Sequence, residues 1–214
     1  MLAIAHLARL RNVRRRERTV EVPSFRPPVD VARTDGDAVQ HRRDGVGELV
    51  VRRYAVDIAS AEVTAAQLIE RFANNPNEFV PAHVAAFHDM RGRALRGLHL
   101  GREAVVEIPG PWDGPVRVDR VDATSITLVT LDDHLEAGQI RFEAIDGPSL
   151  RYHITSWARA GDRAMEVLHV RLRLAMEAQT AMWVHVCRRA VAIAGGRRVG
   201  PIEIDTELVA GSQR

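Results

Sequence analysis

The chain has 214 residues, 46% of them hydrophobic, enough to bury a full core as one domain with appendages. All 30 basic side chains are arginine, which excludes a Schiff-base lysine, a phosphate-loop lysine and a lysine general base; the single cysteine, Cys187, excludes an internal disulfide and a cysteine zinc cluster. The net charge of +2 hides an asymmetry: ten arginines against five acids give +5 in residues 1–43, and 20 arginines against 23 acids give −3 in the rest, so the folded part is slightly acidic.

The first ten residues, Met1 to Leu10, are mostly apolar and are followed by the basic run Arg14-Arg15-Arg16. A secretory signal places its charge before the apolar run, so this order argues against export and for a cytoplasmic protein. A nucleic-acid partner would rest on Arg9 to Arg18 alone, with no aromatic residue interleaved for base stacking, which argues against that class. The segment reads as a loosely ordered arm, with contact to a membrane surface as the alternative. Pro23, Pro27, Pro28 and scattered Asp and Gly continue it as an extended linker to residue 43.

The domain proper is expected over residues 44–196. Glu48 to Ile58 has the valine, tyrosine and alternation of a first strand, and Ser60 reads as the cap of a helix to about Phe72. After an ambiguous stretch from His83 to Met90, strands follow at Arg102–Ile108, Val116–Asp122, Ser125–Leu131, Gly138–Ile145 and Leu150–Ala158. Their connections are too short for crossover helices, so the sheet is expected to be antiparallel. With Asp146-Gly147-Pro148 as the turn, the last hairpin pairs Ala144 with Leu150, Phe142 with Tyr152 and Ile140 with Ile154 on one face, and Glu143 with Arg151 and Arg141 with His153 on the other.

From Gly161 to Ala194 no proline or glycine interrupts the chain; Asp162 can cap the start and Gly195-Gly196 stops the end, which predicts one long helix. One face collects Met165, Leu168, Leu172, Met176, Trp183, Val186, Cys187, Ala190 and Ala194, interrupted by His169 and Gln179. Val167, Val170, Leu174 and Ala181 on the other side leave room for a covering element or a second copy of the chain, a homodimer. Residues 197–214 form a tail in which Pro201–Leu208 can add an edge strand. Strand, helix, antiparallel strands and a long closing helix together give an α+β, helix-grip (START-like) fold, an antiparallel sheet wrapped around a long C-terminal helix.

Four segments carry a resemblance: Pro109-Gly110-Pro111-Trp112-Asp113-Gly114-Pro115, Leu135 to Ile140, Ser156-Trp157-Ala158-Arg159, and Gln179 to His185. In this order they resemble the Domain of Unknown Function nineteen-ninety family, grouped with the START-like (SRPBCC) superfamily, over roughly Asp44 to Gly196. The resemblance implies the same fold and carries over no catalytic residue. The chain departs from the family pattern with Met176 near the place of a helix lysine and His169 where an aromatic is expected.

No nucleophile elbow, zinc-binding His-Glu-x-x-His, phosphate loop or dinucleotide fingerprint is present, so no cofactor and no metal is expected. His83 and His88, five apart, diverge by about 140° on a helix and make poor joint ligands. Gln179 and His169 on the apolar face need partners, since an unpaired buried polar group costs about 1 to 3 kcal/mol. A backbone carbonyl, a sheet side chain, a bound ligand or a cavity water would each serve. The expected pocket lies between sheet and helix, lined by Tyr152, His169, Gln179, Trp183, Trp112 and Trp157, with Glu136 and His169 as candidate acid/base groups. Glu136 can equally be a turn-stabilising carboxylate. Three classes stay open: a binder of a hydrophobic small molecule, a polyketide cyclase-like enzyme of the cyclase, dehydratase or hydrolase type, and an assembly protein.

Overall fold

The computed structural model describes residues 12–30, 37–80, 85–108, 112–161 and 169–210, the side chains of Ile108, Trp112 and residues 169–178 excepted. The strands are β1 (Val13–Val20), β2 (Val46–Ala59), β3 (Ala86–His88), β4 (Glu103–Ile108), β5 (Trp112–Asp122), β6 (Ser125–Thr130), β7 (Glu136–Ile145), β8 (Leu150–Ala160) and β9 (Arg197–Val209). Two helices, α1 (Ala65–Asn74) and α2 (His169–Ile193), pack on one face of the sheet these strands form. The strand order is β1-β9-β2-β8-β7-β6-β5-β4-β3, antiparallel throughout except that β1 runs parallel to β9. This is the helix-grip architecture, with β9 and β1 added beyond β2.

Alternation in β2 decides the two faces. Tyr54, Val56 and Ile58 point to the concave side and enter the main core with Phe142, Tyr152, Ile154 and the helix residues Trp183, Val186, Cys187 and Ala190. Val51 points the other way, into a smaller cluster with Trp157 and Val209. The strand ends at Ser60, whose φ of 55° makes it a turn residue and not the expected helix cap. The cap is Thr64: its hydroxyl accepts from the Gln67 amide at 3.3 Å, and the Gln67 side chain accepts from the Thr64 amide at 2.9 Å. That reciprocal capping box is legible as Thr64-x-x-Gln67, and it starts the helix one turn later than the serine does.

The last hairpin keeps the expected faces but slips by two residues. Phe142 lies opposite Ile154, Ala144 opposite Tyr152, Glu143 opposite His153, Arg141 opposite Thr155 and Ile145 opposite Arg151. A two-residue slip preserves which side chains are buried and changes only their partners. The turn is set from outside: Asp146 Oδ1 accepts from the Ala65 amide at 2.8 Å, tying the connection to the first turn of α1. Arg151 therefore pairs with Asp57 at 3.0 Å and Glu203 at 3.2 Å instead of Glu143.

Of residues 1–43, read from sequence as a loose arm and linker, the described parts, 12–30 and 37–43, supply an edge strand and a strap across the convex face. Val13–Val20 pairs residue for residue with Ile202–Val209, so the tail strand β9 is interior and not an edge. Arg18 Nε reaches Glu207 at 3.1 Å, and the Ser24 amide donates to the same fully buried carboxylate at 2.8 Å. Phe25 stacks 4.1 Å over the Arg53 guanidinium, while its carbonyl accepts from Trp157 Nε1 at 2.8 Å. Further along, Val39 packs with Val129 and Leu131, and Arg117 grips Asp37 at 2.8 and 3.0 Å.

On this face His153, 2% exposed, meets Glu143 at 2.7 Å and Arg53 at 2.8 Å, both through Nε2. Burial, despite the Glu143 bond, holds its pKa below the ordinary 6.5, so the unfolded chain takes a proton first as pH falls. Glu143 is depressed by its bond to His153 and loses its contribution at still lower pH, below its ordinary 4.5. Both groups therefore remove stability on acidification, beginning below about pH 6.5. Urea unfolding from pH 7.5 to 5 is expected to show this decline, and His153→Gln to flatten it; an equal slope in the variant would assign the decline elsewhere.

Candidate functional site

Towards the residue 52 end of β2, the concave face turns from apolar to polar. In β2 the sequence Val50, Arg52, Tyr54 alternates onto this face, and across the sheet Arg52 lies between Thr206 of β9 and Ser156 of β8. Arg52 Nε donates to Thr206 Oγ1 at 3.2 Å. The Tyr54 hydroxyl meets Thr180 Oγ1 of α2 at 3.3 Å and is also hydrogen-bonded by Arg52. Burial raises the Tyr54 pKa, and the neighbouring Glu136 charge adds to the rise while Arg52 and Thr180 oppose it, so the phenol stays protonated.

One helical residue back, Gln179 Nε2 donates to Glu136 Oε2 at 3.1 Å, joining α2 to the start of β7. Glu136 is itself fixed by His134, whose Nδ1 accepts from the Glu136 amide at 2.9 Å. Burial lowers the His134 pKa, which keeps the ring neutral and that nitrogen an acceptor. Two residues on, only glycine fits: a Cβ on Gly138 would stand 2.0 Å from the Trp157 carbonyl oxygen. The close approach of β7 to β8 there sets where Glu136 emerges.

Beneath the second half of α2 the space is filled. Trp183 stands edge-on to Phe142 at 5.5 Å, and Phe142 lies 4.5 Å from Phe72, which is flanked by Phe79 and Phe87 at 5.2 and 6.3 Å. Cys187 is fully buried, with its thiol pushed up to about 12, which removes it as a nucleophile. Tyr152 is also fully buried, and among the described residues its hydroxyl has no hydrogen-bond partner. Since an unsatisfied buried hydroxyl costs about 1 to 3 kcal/mol, Tyr152→Phe is expected to raise stability by about 1 kcal/mol. A loss of stability in thermal unfolding would show that the hydroxyl is satisfied in solution.

Of the residues expected from sequence, Glu136 and Gln179 come together at the polar end, while Tyr152 and Trp183 belong to the packed interior of the same face. Trp157 is a correction. It projects from the opposite, convex face under Phe25, because β8 alternates and Ile154 and Tyr152 take the concave positions. The side chains of His169 and Trp112 lie outside the described residues. Sequence reading missed Arg52, Tyr54, Thr180, Thr206 and His134. The alternation Val50-Arg52-Tyr54-Val56-Ile58 carried the signal for two of them, an arginine in phase with the apolar set. Among the described residues no group of His, Cys, Asp and Glu is disposed to hold a metal ion, and no helix is long and apolar enough to cross a membrane.

No family model and no curated protein matches the chain. Solved structures of similar shape exist. Protein Ms6760 from Mycobacterium smegmatis is 13% identical, with 72% of this chain and 94% of that one covered at a TM-score of 0.43. The di-domain ARO/CYC StfQ from the steffimycin biosynthetic pathway is 15% identical over 72% of this chain and 52% of its own length, at 0.49. Norcoclaurine synthase from Thalictrum flavum, in complex with dopamine and hydroxybenzaldehyde, is 9% identical over 78% and 98%, at 0.46. At these identities and scores the likeness carries no inference about chemistry.

Proposed function

We propose that the protein binds a mainly apolar small molecule between the concave face of the sheet and α2, at the polar end of that face. The observation that supports this is the gathering of Glu136, Gln179, Tyr54 and Thr180, side chains of sheet and helix paired with one another on an otherwise apolar surface. Such an arrangement, apolar walls with a few convergent polar groups, is what small-molecule sites have in common. In this proposal residues 44–196 form the binding domain, the flanking strands and strap cover its far face, and the protein works in the bacterial cytoplasm without metal or cofactor. Membership of the Domain of Unknown Function nineteen-ninety family is a separate proposal, resting on the four sequence segments alone.

Native mass spectrometry of protein purified from its own host, together with a titration of the neutral fluorophore 1-aminoanthracene, tests the reading. A retained small-molecule adduct and saturable fluorescence are expected; neither adduct nor saturation would end it. A second reading, an enzyme of the cyclase, dehydratase or hydrolase type, draws on Glu136 alone, whose carboxylate accepts from the Gln179 amide while its backbone N–H is fixed by His134, and which is so placed for proton transfer. Glu136→Gln separates the two. A carrier retains the same adduct in the variant, whereas an enzyme retains an unconverted precursor of different mass.

A further inference from the structure

We infer that Arg52 anchors an acidic head group, so that the ligand is a hydrophobic monocarboxylate and not a neutral hydrophobe; this deepens the binding reading above and rests on it. Arg52 is half-buried on the concave face. Its neighbours across the sheet, Thr206 and Ser156, are neutral, and the rows on either side are Leu208, Val50 and Ala158 above and Ile204, Tyr54 and Ile154 below. Arg18, Arg42, Arg93, Arg117, Arg141 and Arg151 each have a carboxylate within 4.0 Å. Among the described residues Arg52 has none, its bonds going to the Thr206 and Tyr54 hydroxyls. A guanidinium has five N–H donors in a rigid fork, so two hydroxyl contacts fix its direction and leave donors unused.

A cation withdrawn from water without a counter-charge is costly, and a carboxylate answers both the charge and the fork geometry with two parallel bonds. Charge count favours a monoanion. Among the described residues Arg52 is the one cation whose charge acts on the Tyr54 hydroxyl, which also meets Thr180, and Glu136 acts on it with the opposite sign. A phosphate dianion there would keep one uncompensated charge near Glu136. The apolar body of the ligand has a surface at hand in Ile140, a partly buried residue in the same cross-sheet row as Arg52 and Ser156.

The test is displacement of 1-aminoanthracene by dodecanoate and by dodecanol, on the full chain and on Arg52→Gln and Arg52→Lys. Wild-type protein is expected to bind dodecanoate more tightly than dodecanol. Arg52→Gln weakens dodecanoate about 10- to 100-fold, as loss of a charged hydrogen-bonded pair implies, and leaves dodecanol and the probe within about two-fold. Arg52→Lys, which keeps charge but not the fork, falls between. Equal competition by acid and alcohol, with the probe bound and Arg52→Gln unchanged, overturns the anchor while leaving the pocket. No probe binding in wild type overturns the pocket, and the anchor with it. A variant that lost the probe and both competitors alike, with an unchanged circular dichroism spectrum, would make Arg52 a structural support of the pocket and refute its role as an anchor.

Discussion

Trp183→Ala is expected to destabilise the protein by about 3 to 5 kcal/mol, the range of large aromatic truncations in packed cores. The indole is 5% exposed, stands edge-on to Phe142 and sits in the row of α2 side chains that faces the sheet. Removing it leaves a void bounded by Phe142, which is itself packed against Phe72 at 4.5 Å, so the surroundings have little freedom to collapse. Urea unfolding with an unchanged m-value checks the figure. A loss below about 1 kcal/mol would mean that the ring borders open space, and the binding site would then extend under the second half of the helix.

Deletion of residues 1–30 is expected to lower the melting temperature by about 10 °C, on the scale of 2 to 4 °C per kcal/mol for a chain of this size. From sequence, with its prolines and excess charge, the whole of residues 1–43 reads as a segment that can be removed at a cost of a few degrees at most. The structure gives it eight paired strand residues, the Phe25 ring over Arg53 and the cover of Trp157. Its removal bares Trp157, Val51 and Val209, each less than 7% exposed, and strips the partners from Glu207. At roughly 1.5 to 3 kcal/mol for each large apolar side chain returned to water, several kcal/mol are at stake. Calorimetry of the truncated protein decides; a shift of only a few degrees would show that the strap adds little to the fold.

The helix-grip fold was legible because its signals are local and periodic. Short turns between alternating strands force an antiparallel sheet, and an uninterrupted run to Gly195 gives the helix. What failed to read were long-range pairings. Nothing in Arg14-Arg15-Arg16 reveals that acids across the sheet edge await it, as Glu203 and Glu207 do for Arg14 and Arg18. Nor does the hairpin sequence disclose that Asp146 is held by α1, which slips the register by two. The candidate site was half legible. Gln179 interrupts an apolar stripe and Glu136 precedes small residues, so both stood out. Arg52 and Tyr54 needed the period of β2 to be read residue by residue, and Trp157 showed that an aromatic in a resembling segment does not say which face of the sheet it takes.

Occupancy of the polar end of the concave face by a ligand can be followed through the backbone amide resonances during titration with dodecanoate. Saturable shifts are expected at Arg52, Tyr54, Glu136, Gln179 and Thr180, with the convex residues Trp157 and His153 unmoved. Shifts gathered on the convex face, or no saturable shift at any residue, would contradict that occupancy.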